Sequence, residues 1–489
     1  MFRHFCLLIF VVLCPWSLWA GPVVLTTADG SLTIEGDLTS FDGELFRIQT
    51  EFGALTIDGG NLTCIGSGCP DPDTMVARVR VGGPADLLFG LMPGLLEVFA
   101  EREGLDFRSV FIGDAAITWE LGNPDAGRLV ARFKGKVEEN ALDQLVDGEV
   151  DLSLGRVAGQ GQVRQDVVAL DAMVPIVAPG NPRAMVTVDQ LDSLLAGRTK
   201  NWSQLDGPDL AVILHLLEGA VVSRNVLNPS GQLGDAIRHQ SGRDLADAVA
   251  HDPAALGLVP FSMMGNAVPL VISGACGLAT PATRESIRAE DYPSTQPLFL
   301  HRIGARQPKV VRDFIAFARS PEAQPVIRSL GFVDQAIGRI AFERQGARIA
   351  NAVLAADAEP AAMASVRDMI GVLMTMDRLT LTFRFQDGSS DLDPQSATNV
   401  LRLADAISRG AFDGRELVFI GFTDGVGPAD GNQRLSKRRA RSVLRAVSAR
   451  IDEPPVTLSA TGFGESLPMA CDDTVWGKQV NRRVEVWVR

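Results

Sequence analysis

An acidic and a basic residue near the C-terminus have side chains that together could bind a ligand carrying both charges. Asp424 follows the apolar run Leu417–Ile420, which predicts a buried strand, and Arg439 stands 15 positions later (439 minus 424) in a helical stretch. A carboxylate can bind an ammonium group, and a guanidinium can bind a carboxylate through two parallel hydrogen bonds. The pair therefore predicts a pocket for a zwitterion. The alternative is a salt bridge between Asp424 and Arg439 with no ligand.

The residues around this pair form a long, ordered motif. It consists of Gly421–Gly427, then Asn432–Ala440, and finally Asn481–Glu485. These segments resemble the peptidoglycan-binding domain of the OmpA-like family, with its pattern TDxxG, NxxLSxxRA and NRRVE. The resemblance implies that Asp424 and Arg439 bind the diaminopimelate of the peptidoglycan peptide stem.

Other residues of the motif have roles that the same resemblance implies. Asn432 and Leu435 are expected to shape the pocket, and a helix cap and a core position are the alternatives for them. Arg482 and Arg483 are expected to brace the fold through carboxylates such as Glu485.

Residues 21–74 predict a small β module. Apolar and polar positions alternate in runs such as Val23–Thr26, and Asp-Gly pairs such as the one that begins at Asp58 interrupt these runs. Asp-Gly between alternating runs is a hairpin signal, because such turns need a positive φ. Cys64 and Cys69 enclose a short loop, which predicts a local disulfide. The module is expected to be a folding cap or an interaction module, with a binding site as the alternative.

Residues 75–340 alternate between strand-like and helical stretches, which predicts an α/β domain with mainly parallel strands. Seven stretches resemble the substrate-binding proteins of phosphate ABC transporters and follow one another in that family's order. They are Gly148–Arg156, Val177–Leu191, Leu195–Ser203, Asp252–Pro260, Tyr292–Leu298, Ser320–Gln324 and Gly331–Val333. The resemblance implies two α/β lobes joined by crossing strands, with a ligand cleft between them.

The middle domain is predicted to bind a small anion such as phosphate. The residues expected to hold it are Gly83, Asp151, Ser153 and Arg156. Ordinary strand-end and loop polarity is the alternative for these residues. The family's hydroxyl-rich loop falls near residues 212–225, where this chain lacks the hydroxyls and carries an added glutamate. A second hypothesis is therefore a cleft that contacts another envelope protein in a structural or scaffolding role.

The rest of the chain completes the predicted organisation. Residues 341–375 are rich in Ala and Met and predict a helical linker, which serves as a spacer or as a docking segment. Residues 376–489 make up the OmpA-like part. The predicted fold class is multidomain: a small N-terminal β module, a two-lobed α/β periplasmic-binding-protein fold of type II, and a C-terminal α/β OmpA-like domain.

The first residues predict export. Arg3 precedes the apolar run Phe5–Leu13, and Ala20 ends a stretch typical of a signal peptide over residues 1–20. No later run is long and apolar enough to predict a membrane span. We therefore expect a periplasmic protein on the cell-wall and outer-membrane side. In that oxidising compartment Cys276 and Cys471 either pair or stay as buried thiols.

Composition and missing motifs narrow the function classes further. The 489 residues carry a formal net charge of -13, which argues against nucleic-acid binding. The sequence has no HExxH motif, no Cys/His metal spacing, no Walker loop and no nucleophile elbow. We expect no enzyme activity, no metal and no cofactor. The leading hypothesis is a wall-anchored solute-binding protein.

Overall fold

The computed structural model describes residues 21–27, 30–41, 45–59, 62–70, 76–113, 115–125, 127–181, 183–218, 226–304, 307–356, 359–386, 391–452 and 456–489. The signal peptide predicted at 1–20 lies outside the described residues, as do residues 219–225 of the loop expected near phosphate. Two compact units can be distinguished. One holds the described residues within Met1–Arg80, Phe99–Lys136 and Gly304–Phe317, and the other holds Val81–Val98, Val137–Ile303 and Ala318–Arg489. The domain boundaries proposed from the sequence stay predictions.

The N-terminal segment folds as an antiparallel sheet with the strand order β4-β3-β2-β1-β5. Its strands are β1 (Pro22–Thr27), β2 (Thr33–Phe41), β3 (Leu45–Thr50), β4 (Gly53–Asp58) and β5 (Leu62–Ile65). Successive side chains of a strand point to opposite faces, and one face buries Val23, Leu25 and Ile48. The predicted Cys64–Cys69 disulfide is present at the end of β5.

The middle region contains most of the helices and strands of the chain. They are β6 (Ala77–Gly83), α1 (Ala85–Gly90), α2 (Met92–Arg102), β7 (Asp106–Phe111), β8 (Ala116–Asn123), β9 (Arg128–Val137), α3 (Ala141–Val146), β10 (Leu152–Gly155), β11 (Val163–Val177), β12 (Met185–Thr187), α4 (Val188–Leu195), β13 (Ile213–Leu217), β14 (Ile237–His239), α5 (Gly242–His251), β15 (Ala255–Pro260), β16 (Val268–Pro269), β17 (Val271–Ser273), β18 (Ala279–Thr280), α6 (Arg284–Arg288), β19 (Thr295–Ile303), α7 (Lys309–Arg319) and α8 (Ala323–Ser329). In the first unit, β7 and β8 pair antiparallel, as do β8 and β9.

The long strand β11 organises the middle part of the second unit. It pairs with β15 through its last residues and with β19 through its first, in a sheet of order β14-β13-β15-β11-β19-β10-β6. Trp202 is fully buried in the core beside this sheet, and its indole N–H donates to the carbonyl of Ala254 at 2.9 Å. A buried Trp needs such a partner, so this residue is part of the fold.

The C-terminal part is a second α/β layer around a sheet of order β20-β21-β24-β22-β23. Its elements are β20 (Arg339–Ile340), α9 (Gly346–Ala355), α10 (Pro360–Leu373), β21 (Asp377–Arg384), α11 (Pro394–Ser408), β22 (Glu416–Gly421), α12 (Ala429–Ser448), β23 (Thr457–Gly462), α13 (Val475–Asn481) and β24 (Arg483–Val488). Cys276 and Cys471 also form a disulfide, which decides between the two alternatives left by the sequence. Among the described residues, no helix has the length and apolar character needed to cross a bilayer.

Strand β24 separates two cores. Val484 and Val486 lie on the face that packs with α11 and α12, whereas Trp487 belongs to the cluster that includes Val366 and Met369 of α10. The alternation of side chains along a strand accounts for this division. The helices predicted as a linker therefore pack on the sheet as docking elements, not as a free spacer.

A buried ion cluster lies on the α10 face of the sheet. The carboxylate of Glu485 accepts hydrogen bonds from Arg348 at 2.5 Å and Arg483 at 2.8 Å, and Nε of Arg378 lies 3.3 Å away. Arg378 also binds both carboxylate oxygens of Asp291, at 2.5 and 2.9 Å. Burial alone would raise the pKa of Glu485, but the three guanidinium groups hold it below its usual range.

Replacing Glu485 by Gln should destabilise the fold strongly. The substitution leaves three buried guanidinium groups without their shared carboxylate, which costs about 3–5 kcal/mol in the free energy of unfolding. Urea titration followed by circular dichroism measures this. The control is Glu416→Gln, because Glu416 pairs with half-exposed Arg489 at 2.6 Å and its loss should change the free energy by at most about 1 kcal/mol. Equal effects of the two substitutions would contradict the role given to the cluster.

Candidate functional site

The predicted zwitterion pocket lies where β22 ends and α12 packs closely against the sheet. A Cβ added at Gly421 would stand 2.0 Å from the carbonyl oxygen of Ser436. Only glycine permits this approach of the helix to the strand end. The close packing brings α12 beside the loop that carries Asp424.

Asp424 is held in place by two neighbours. Its Oδ2 accepts a hydrogen bond from Nη1 of Arg482 at 3.0 Å. Its backbone carbonyl accepts one from Nδ2 of Asn432 at 3.3 Å, and the same amide group donates to Oε2 of Glu465 at 2.8 Å. The Asp424 side chain retains 13% exposure, so its carboxylate is fixed but still reachable from solvent.

Arg439 differs from Asp424 because one donor of its guanidinium makes no hydrogen bond to the described residues. The group lies over the ring of Phe385, with 5.5 Å between the guanidinium carbon and the ring centroid. Its Nη1 is buried and has no hydrogen-bond partner within the described part of the chain. Burial lowers the pKa of Arg439 and the nearby charge of Arg482 lowers it further, whereas Asp424 opposes them. A half-buried cation whose buried Nη1 donor is open is suited to an anionic ligand.

The structure therefore brings together three of the four predicted pocket residues, Asp424, Asn432 and Arg439. Leu435 lies half-buried one turn before Arg439 on the same helix. The simple alternative of an Asp424–Arg439 salt bridge is not what the side chains form, since the ion pair of Asp424 is with Arg482.

Both arginines of the NRRVE segment pair with carboxylates, as expected, but only one of them pairs with Glu485. Arg483 binds Glu485, but Arg482 binds Asp424. The cause is the antiparallel pairing of β22 with β24, in which Gly421 stands opposite Val484. This register brings the residue before β24 level with the loop after β22.

Three further residues of the site were not singled out from the sequence: Glu465, Asp472 and Phe385. Oδ2 of Asp472 accepts the backbone N–H of Gly425 at 2.6 Å. Glu465 and Asp472 come from the segment between β23 and α13, and no spacing rule relates that segment to the Asp424 loop. Phe385 directly follows β21, and only the assembled sheet brings it to Arg439.

The residues predicted to bind phosphate lie around β6 and β10. Gly83 ends β6, and a Cβ there would stand 2.9 Å from the Cβ of Leu154, so the glycine serves strand packing. Ser153 is buried, and its hydroxyl has no hydrogen-bond partner among the described residues. Asp151 is half-buried just before β10.

Arg156, the predicted cation of this cleft, is already bound by a carboxylate of the chain. Its Nη1 lies 3.4 Å from Oδ1 of Asp86, and its Nη2 donates to Oδ2 of the same group. Asp86 stands in the first turn of α1, where the helix dipole favours a negative charge. The Asp86 carboxylate thus gives Arg156 an anionic partner from within the chain.

Comparison with known proteins gives the two halves of the molecule separate relatives. The OmpA family model matches residues 384–482, and outer membrane porin F of Pseudomonas fluorescens is 37% identical over 111 residues, which cover 23% of this chain and 33% of the porin. The chain thus spans about a third of that relative's length. This match confirms the OmpA-like domain at the C-terminus.

The middle region is similar to the phosphate-binding protein PstS of Borreliella burgdorferi. The two are 22% identical over 184 residues, which cover 35% of this chain and 65% of PstS. An ABC-type phosphate transport receptor from Vibrio cholerae aligns in structure with a TM-score of 0.40 and 18% identity, over 52% of this chain and 99% of the receptor. The chain joins a PstS-like region to an OmpA-like domain.

Removing the internal carboxylate should create an anion site. In Asp86→Ala, Arg156 loses its partner, and phosphate affinity should rise by about tenfold or more, because a charge-assisted hydrogen bond becomes available to the ligand. Isothermal titration with inorganic phosphate measures the affinity. The control is Asp189→Ala, which removes a first-turn carboxylate from α4 and should leave phosphate affinity unchanged. Wild-type protein that binds phosphate as well as Asp86→Ala would contradict this account.

Proposed function

We propose that this protein is a non-catalytic component of the cell envelope that binds peptidoglycan through its OmpA-like domain. The ligand is the diaminopimelate residue of the peptide stem. Its free ammonium group meets the carboxylate of Asp424, and its free carboxylate meets the guanidinium of Arg439. Asn432 fixes the backbone of the Asp424 loop, and Leu435 contributes to the wall of the pocket.

One observation carries this proposal. The Nη1 atom of Arg439 is buried without a hydrogen-bond partner in the described structure, while Asp424 is held by Arg482 instead. Buried donors are nearly always paired in native proteins. An unpaired donor on a cation beside a fixed carboxylate is what a pocket for a zwitterion requires.

The proposed location is the periplasm, at the cell wall. The predicted signal peptide supports export, and the Cys64–Cys69 and Cys276–Cys471 disulfides fit an oxidising compartment. Association with peptidoglycan is what the OmpA-like domain implies for this chain.

For the middle region two functions compete. Similarity to PstS supports a receptor for a phosphate-like anion, which makes the protein a wall-anchored solute-binding protein. The Arg156–Asp86 pair favours the second function, a scaffolding role in which this region contacts another envelope protein, because the cation that should hold the anion is neutralised internally.

Arg439→Ala should abolish retention of the protein by purified sacculi. The substitution removes the only partner proposed for the ligand carboxylate, and loss of one member of a desolvated charge pair costs about 2–5 kcal/mol of binding free energy. Co-sedimentation with diaminopimelate-containing sacculi measures this, and the melting temperature of the variant shows whether it is folded.

The matched control is Arg434→Ala on the same helix. Arg434 is exposed and pairs with Asp430 at 2.8 Å, so its loss should not alter sacculus binding. If folded Arg439→Ala co-sediments as well as Arg434→Ala, the proposed pocket is wrong.

A further inference from the structure

A closed ring of contacts includes Asp424, the carboxylate proposed to bind the ammonium group of the ligand. Asp472 makes two of these contacts. Its Oδ2 accepts a hydrogen bond from the backbone N–H of Gly425 at 2.6 Å, and its Oδ1 accepts one from Nδ2 of Asn481 at 2.8 Å. The next residue after Asn481 is Arg482, which donates to Asp424 at 3.0 Å. Asp424 directly precedes Gly425, so the ring returns to its start.

The residue next to Asp472 is joined to the middle region by a disulfide. Cys471 directly precedes Asp472 and forms a disulfide with Cys276, which is 195 positions earlier in the sequence. Cys276 lies in the connection between β17 and β18. The bond therefore links a loop of the PstS-like region to Cys471, the neighbour of the residue that holds the Asp424 loop.

The surroundings of Cys471 leave it little freedom. A Cβ added at Gly274 would lie 2.3 Å from its Sγ, and one at Gly477 would lie 1.8 Å from its carbonyl oxygen. The absence of a side chain at these two glycines thus allows the chain to pack closely against this cysteine. Asn481 fixes the same segment by accepting the backbone N–H groups of Met469 and Ala470 at 2.7 and 3.1 Å.

We propose that the Cys276–Cys471 disulfide and Asp472 are positioning elements of the wall-binding pocket, through which the middle region sets the affinity for peptidoglycan. The proposal rests on the function proposed above for Asp424 and Arg439. Gly425 is exposed, so its hydrogen bond to Asp472 restrains the loop where packing does not. Ordering a binding loop before the ligand arrives lowers the entropy lost on binding.

The two disulfides of the chain allow a matched test. In the full mature chain, Cys276→Ser with Cys471→Ser should bind diaminopimelate-containing sacculi about tenfold more weakly, the factor expected when one charge-assisted hydrogen bond is lost. The control, Cys64→Ser with Cys69→Ser, removes the bond of the N-terminal module and should bind as wild type. Affinity is measured by co-sedimentation at graded sacculus concentrations.

Asp472 tests the same link with the disulfide intact, which covers the case that the cysteine variant does not fold. Asp472→Ala should weaken sacculus binding by a similar factor, and Asp472→Asn, which keeps one acceptor, by less. In both Asp472 variants, amide hydrogen exchange should become faster at Gly425. A general loss of stability would instead make exchange faster throughout the domain.

Combining the substitutions decides between a shared and an independent effect. If the disulfide acts through Asp472, the triple variant should bind no more weakly than Asp472→Ala alone, because coupled sites are non-additive. Additive losses, or wild-type affinity in the folded Cys276→Ser, Cys471→Ser protein, would overturn the proposal. Normal binding by Arg439→Ala would instead overturn the proposed function, so the two failures are distinct.

Discussion

The C-terminal part of this molecule depends on a single buried carboxylate, that of Glu485. Arginines from three elements converge on it, Arg348 from α9, Arg378 from β21 and Arg483 from β24. Buried charges are tolerated only when they are paired, so this residue must face the α10 side of the sheet. That requirement fixes which face every other residue of β24 presents. The same orientation of β24 sets the position of Arg482, which lies just before the strand and binds Asp424. The ion cluster also includes the middle region, because Arg378 binds Asp291 as well.

Local sequence patterns predicted the elements of the fold better than the contacts between them. Period-two alternation identified the strands of the N-terminal module, and the spacing of Asp424 and Arg439 identified a loop and the helix that faces it. The pairing of Arg482 with Asp424 depends on the register of two strands, which the spacing of 58 positions does not encode. The same holds for Arg156 with Asp86, 70 positions apart, and for Cys276 with Cys471. These contacts arise only when distant segments are assembled.

Arg156 and Arg439 are both half-buried, but they differ in how their charge is paired. Arg156 is neutralised by Asp86, a first-turn carboxylate, and the chain itself supplies the anion. Arg439 lies over Phe385, and its Nη1 has no hydrogen-bond partner among the described residues; the proposed function assigns this donor to the carboxylate of the ligand. The sequence of either segment alone shows an arginine near acidic residues. What separates the two is which carboxylate the fold brings within hydrogen-bonding distance. The fold thus pairs Arg156 with a carboxylate of the chain and leaves Nη1 of Arg439 without a partner among the described residues.

The most direct test of the central claim compares two stem-peptide ligands that differ by one carboxylate. Isothermal titration of the full mature chain with a muropeptide containing meso-diaminopimelate should give saturable binding. The same muropeptide with L-lysine in place of diaminopimelate keeps the ammonium group for Asp424 but lacks the carboxylate for Arg439, and it should bind far more weakly. Equal affinity for the two ligands would show that Arg439 does not recognise the carboxylate, and it would contradict the account.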